Sequence, residues 1–176
     1  MGDTKDQIFG KVTEDVDVFK KILSKVPGFS GYIERQKRRD SDKLVREYVF
    51  ERFRELEGRV SHVQRDFISQ GSIQYVDDLE ATAIKLRTFA DRLRTAPRGY
   101  AGLFDAIKIN EAELTQLYEY DAAMLDLVDE VNHAVDNVES SVGSDGLPAA
   151  IRNLESKAQA CIEAYDRREA VILGIQ

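Results

Sequence analysis

At 176 residues, 43% hydrophobic and 32% charged, the chain has the composition of one globular domain with enough apolar side chains for a real core. A net charge of −7 argues against general affinity for nucleic acid, which needs a basic face to displace counterions. No apolar run approaches the roughly 18 residues that span a bilayer, and a single cysteine, Cys161, leaves no intrachain disulfide to form. The opening MGDTKDQIFGKV lacks an apolar signal core, so a cytoplasmic location is expected.

The charge is divided along the chain. Residues 1–70 hold 15 basic and 13 acidic side chains, whereas residues 71–176 hold 10 and 19. The basic part is therefore expected to lie against the acidic part, as helices in bundles often do.

The first helix is predicted from about Thr4 to Lys25, on the stripe Ile8, Val12, Val16, Phe19, Leu23 and Val26. Pro27-Gly28 stops it. Glu14, Asp15 and Asp17 dilute its cations, which favours packing in the bundle over a membrane surface.

The second helix is predicted from about Gly31 to Gln70, a rod of roughly 60 Å. Its buried edge reads Leu44, Val45, Tyr48, Val49, Phe53, Leu56, Val60, Val63 and Phe67. Glu34–Arg38, Asp42–Arg46 and Glu55–Arg59 are spaced as outward i,i+4 pairs. The link Ser69-Gln70-Gly71-Ser72 turns the chain into a third helix ending near Arg94, on Val76, Leu79, Ala83, Leu86, Ala90 and Leu93. Folds about residues 28 and 71 would lay the two shorter helices along the long one, end to end.

Between Thr95 and Ile109 the periodicity stops, yet Tyr100, Leu103, Phe104 and Ile107 are large and apolar. Loops of this length are often functional. The simpler expectation is a crossing over the bundle end, with Tyr100 and Phe104 capping the core.

Residues 110–141 contain nine carboxylates and no lysine or arginine. Asn110 and Glu113 have capping-box spacing, and Leu114, Leu117, Met124, Val128, Val131, Val135, Val138 and Val142 form a three-four seam. Asp121 interrupts that seam. Gly143 to Pro148 is a turn into a fifth helix on Ile151, Leu154, Ala158, Cys161 and Tyr165, where the next seam position is Arg168. A hairpin folded about residue 145 brings Asp121 and Arg168 to the same level. A buried carboxylate needs a cationic or hydrogen-bonding partner, so the two are expected to form a structural pair that fixes register.

Little else suggests chemistry. Glu130-x-x-His133, with Asp126 a turn earlier, resembles one half of the Glu-x-x-His pattern of ferritin-like di-metal bundles. The other histidine, His62, has Arg59 where a second glutamate would be needed. Phosphate-cradling glycine loops are absent, and Cys161 falls on an inward stripe.

The basic cluster Arg35, Lys37, Arg38 and Arg39, with Tyr32 beside it, is the best partner-facing feature, and an acidic protein surface or anionic headgroups would suit it. Tyr100 and Phe104 join it as candidate surface. The expectation is one all-α domain over residues 1–176. It is an elongated antiparallel up-and-down bundle of five helices with a coiled-coil-like seam and a C-terminal hairpin. Its expected role is a non-enzymatic interaction or scaffold module for a protein partner, with no cofactor, catalytic residue or nucleic acid. The alternatives are a membrane-peripheral or membrane-remodelling protein using the first helix and Arg35–Arg39, and a metal-binding bundle enzyme around Asp126, Glu130 and His133. Self-association through the apolar C-terminus Ala170–Ile175 also stays open.

Overall fold

The computed structural model describes residues 16–96, 103–106 and 109–173, apart from the side chain of Val171. It is an all-α bundle of five helices: α1 over 16–25, α2 Arg38–Gln70, α3 Val76–Thr95, α4 Glu111–Ser141 and α5 Leu147–Leu173. α2 is the longest at 33 residues, about 50 Å.

Side-chain pairs give the directions. Glu57 meets Arg87 and Arg46 meets the Leu93 carbonyl, so α2 and α3 run antiparallel. Asp121 meets Arg168 and Glu130 meets Lys157, which makes α4 and α5 antiparallel too. Lys85–Glu155 and Arg92–Asp166 show α3 and α5 running the same way.

α2 lies beside α3 and α4, and α5 lies beside α3 and α4. The four close a ring in which α2 faces α5 across the diagonal. α3 and α4 therefore face each other across the other diagonal, and between them in sequence Leu103 and Phe104 are buried. Tyr100 lies outside the described residues.

Most inward stripes are those the periodicity marks. Val45, Val49, Phe53, Leu56, Val60, Val63 and Phe67 of α2 are buried, with Leu44 and Tyr48 half-buried beside them. On α4 the seam is buried from Leu117 to Val138, while Leu114 is half-buried and Val142 exposed. α5 buries Ile151, Leu154, Ala158, Cys161, Tyr165, Arg168 and, at its apolar end, Ile172. The α4 cap is a full box: Glu113 N donates to Asn110 Oδ1 at 2.8 Å and Asn110 N to Glu113 Oε2 at 3.2 Å. Gly71 ends α2 at φ 77°, and the N–H groups of Gly71 and Ser72 close onto Ile68 and Phe67. That is a Schellman-type stop.

Three expectations change. α2 begins at Arg38, not near Gly31, after a 3-10 turn over Arg35–Lys37. The cause is Gly31, at φ 84°, where a Cβ would sit 2.8 Å from the Tyr118 hydroxyl. The chain there is neither helix nor free loop; it is a strap that presses Tyr32 into the core.

α1 does not fold back as a hairpin on α2. Phe19 packs on Tyr118, Lys21 pairs with Asp126 and Lys25 with Asp129, so α1 runs along α4 in the same direction. Residues 26–34 then double back. That placement turns Phe19, Ile22 and Val26 inward and leaves Val16 and Leu23 41% and 49% exposed.

The outward i,i+4 pairs also differ. Glu34 bonds Lys37, Arg38 is buried, Asp42–Arg46 is largely buried, and Arg59 leaves Glu55 for Asn132, Asp136 and Glu139 on α4. The interhelix acids outcompete the local one. These contacts, with Lys21, Lys25 and Arg39–Asp105, lay cations of the first part of the chain against acids of the second.

Candidate functional site

Four elements meet where the seam is interrupted. α4 supplies Asp121, α5 Arg168, α2 Asp42 and the strap Tyr32, all at 3% exposure or less. Arg168 Nε donates to Asp121 Oδ1 at 2.6 Å, and its Nη2 reaches across the bundle to Asp42 Oδ1 at 2.7 Å. The Tyr32 hydroxyl donates to Asp121 Oδ2 at 2.5 Å, and Arg46 Nε to Asp42 Oδ2 at 2.8 Å. Two carboxylates and two guanidiniums balance, and each carboxylate oxygen has a donor. Among the described residues no buried side-chain nitrogen or oxygen lacks a partner.

The electrostatics follow from burial and these contacts. Burial pushes the Asp121 carboxyl above the ordinary carboxylate range, against the opposing pull of Arg168 and the Tyr32 hydroxyl. Burial also pulls the Arg168 guanidinium down, but Asp121, Asp42 and Tyr32 together outweigh it and hold it well above its ordinary value. The Tyr32 phenol is pushed well up by burial, then by the Asp121 charge.

Tyr32 and Arg38 were expected on a partner surface; the structure buries both, and Phe104 with them. Arg38 ties the backbone: its Nε donates to the Tyr32 carbonyl at 2.7 Å and its Nη1 to the Ala106 carbonyl at 2.6 Å. Phe104 packs on the Tyr32 ring, 5.8 Å between centroids. Arg38 does inside the fold what an irregular backbone requires, since its carbonyls need donors. Arg35, Lys37 and Arg39 remain exposed. Arg39 bridges Asp105 through both carboxylate oxygens, and its hydrogen bond holds the Asp105 carboxyl below the usual range.

The three candidate metal ligands are not gathered. Asp126 pairs with Lys21 of α1, Glu130 with Lys157 of α5, and His133 is exposed. Among the described residues no group of three or more His, Cys, Asp or Glu could hold a metal ion. Cys161 is buried, and burial pushes its thiol up to about 12.

Sequence reasoning found Asp121 and Arg168 from the seam but missed Asp42 and Tyr32. Asp42 looked like one half of a surface pair. Tyr32 stood beside cations, so it read as surface.

A groove of about 730 Å³ runs beside the network, lined by Arg39, Lys43, Arg46, Phe50, Leu93 and Arg94 among others. Its cations are engaged: Lys43 with Glu47, Arg46 with Asp42, and Arg94 over the Phe50 ring. No helix among the described residues is long and apolar enough to cross a membrane. Neither a protein-family model, a curated protein nor a solved structure matches this chain.

Proposed function

We propose that the chain is a non-enzymatic interaction module whose helix faces engage a protein partner, and that it works in the cytoplasm. The observation that supports this reading most is the closure of the buried ionic network around Arg168. Arg168 and Asp121 are 1% and 0% exposed, and their polar atoms are already bonded to one another, to Asp42 and to Tyr32. A group that serves as acid, base or nucleophile needs access to a substrate. This network instead fixes how four elements sit against each other, which is the use of buried ion pairs that has most support.

For the partner-facing side, the segment just before α2 offers a revised surface. Ile33 is 75% exposed and stands beside exposed Arg35 and Lys37. An apolar side chain flanked by Arg35 and by the Lys37–Glu34 pair suits an acidic protein surface with a hydrophobic contact at its centre.

A photo-crosslinking amino acid at Ile33, used in the native host, tests the reading. The expected result is one protein adduct, identified by mass, that disappears when Arg35→Glu and Lys37→Glu are added. Adducts to no protein, with anionic vesicles that co-sediment the chain and release it on the same charge reversal, would replace the protein partner by a membrane surface.

A further inference from the structure

Two guanidiniums are buried beside Tyr32, and they are compensated differently. Arg168, at 1% exposure, is held by two carboxylates, Asp121 and Asp42. Arg38, at 3%, donates only to carbonyls: Tyr32 O at 2.7 Å, Ala106 O at 2.6 Å and Ile33 O at 3.4 Å. Carbonyls satisfy its N–H groups but leave its charge in place, and a buried charge without a counter-charge is costly. Burial, and then the Arg35 charge, pull the Arg38 guanidinium below its ordinary value, with no carboxylate pulling the other way.

The neighbouring surface does not cancel that charge. Arg35 is exposed, and its charge acts on both Arg38 and Asp105. Asp105 already binds Arg39 through both oxygens, at 2.8 and 2.7 Å, with the two side chains 44% and 46% exposed. Glu34 is taken by Lys37. Around Asp105, three guanidiniums therefore share one carboxylate, in a chain whose net charge is −7. A local excess of cations on an acidic protein is the complement of an anion.

We infer that Arg35 and Arg39, backed by the Arg38 charge, form a carboxylate-recognition site that receives an acidic segment of the partner protein. The inference rests on the interaction reading and deepens it by naming the partner's chemistry. Ile33, whose carbonyl Arg38 holds, supplies the apolar contact, and the guanidiniums select for acid. Guanidinium forks suit carboxylates, as Arg39 on Asp105 already shows. Asp105 is the internal stand-in with which an incoming carboxylate competes. Glu34, Asp40 and Asp105 interleave with the cations, which suits an acidic peptide more than a uniformly anionic membrane.

The test is the binding of fluorescent acetylated hexaglutamate to the full chain, followed by anisotropy. Wild type is expected to bind it saturably, and more weakly as salt is raised. Arg35→Gln with Arg39→Gln should weaken binding about 10-fold. Arg65→Gln with Arg152→Gln makes the same change in net charge at exposed sites elsewhere and should leave it unaltered. Asp105→Asn should tighten binding about threefold, whereas Asp145→Asn, in the turn between α4 and α5, should not. If the first double variant fails to fold by circular dichroism, Arg35→Gln alone serves, with the same direction expected. No saturable binding, or equal losses from the two pairs of arginine substitutions, would overturn the proposal. So would displacement of the peptide by inorganic phosphate but not by chloride at the same ionic strength, because the site would then serve a free anion. A protein adduct at Ile33 without peptide binding would leave the interaction reading standing and remove this one, so the two fail separately.

Discussion

α4 is gripped on two sides by opposite means. α5 grips it from inside with Arg168 on Asp121, at 1% and 0% exposure; α1 grips it from outside with Lys21 on Asp126 and Lys25 on Asp129, in solvent. Both are cation–carboxylate contacts, yet burial separates their consequences. In the interior each charge has been stripped of water, so losing one partner strands the other. At the surface water replaces the partner, and side-chain entropy offsets much of the attraction. The same chemistry therefore makes a register lock in one place and a removable contact in the other.

Breaking the lock should have the largest effect. Arg168→Met leaves Asp121 and Asp42 without their shared cation, and urea denaturation is expected to show a loss of about 3–5 kcal/mol. Replacing Asp121→Leu and Arg168→Met together, with Tyr32→Phe to spare an unpaired hydroxyl, should recover most of that loss, because Asp42 keeps Arg46. A triple variant as unstable as Arg168→Met alone would mean that the network contributes net stability as well as register.

Next comes the strap. Gly31→Ala meets both a positive φ and the Tyr118 hydroxyl, so a loss of about 1–3 kcal/mol is expected by the same measurement.

A weaker effect follows from raised pKa values in the interior. The folded chain holds the Cys161 thiol to about 12 and the Tyr32 phenol well above 10, whereas the unfolded chain releases those protons near 9.0 and 10.0. The unfolded state then binds fewer protons, so stability is expected to fall as pH rises past the ordinary thiol range. At pH 8 native Cys161 should carry about a thousandfold less thiolate than an ordinary cysteine, and a thiol reagent should label it only as the chain unfolds. Fast labelling of the native protein would contradict its burial.

The smallest effect belongs to the outer grip. Lys21→Ala with Lys25→Ala should lower global stability by no more than about 1 kcal/mol per pair.

The contrast also explains what the sequence made legible. The helices of the ring and the Asp121–Arg168 level could be read because seam periodicity and hairpin symmetry are local rules. The direction of α1 could not, because it depends on Phe19 meeting Tyr118 and on Lys21 and Lys25 meeting Asp126 and Asp129, about a hundred residues away. In that placement Ile22 rather than Leu23 turns inward. Tyr32, Arg38 and Asp42 were misjudged because polar residues near a basic cluster look exposed, whereas here the strap carbonyl of Tyr32 draws Arg38 inward and Asp121 and Arg168 draw in Tyr32 and Asp42. One signal was available: Leu117, Tyr118, Ala122, Met124 and Leu125 double the apolar row on the first part of α4, which calls for a second neighbour there.

The contrast between the buried and the surface ion pairs is tested most directly by double-mutant cycles in urea denaturation. The Asp121–Arg168 cycle is expected to show a coupling of about 2–3 kcal/mol, and the Lys21–Asp126 and Lys25–Asp129 cycles about 0–1 kcal/mol each. A surface coupling as large as the buried one would contradict the account.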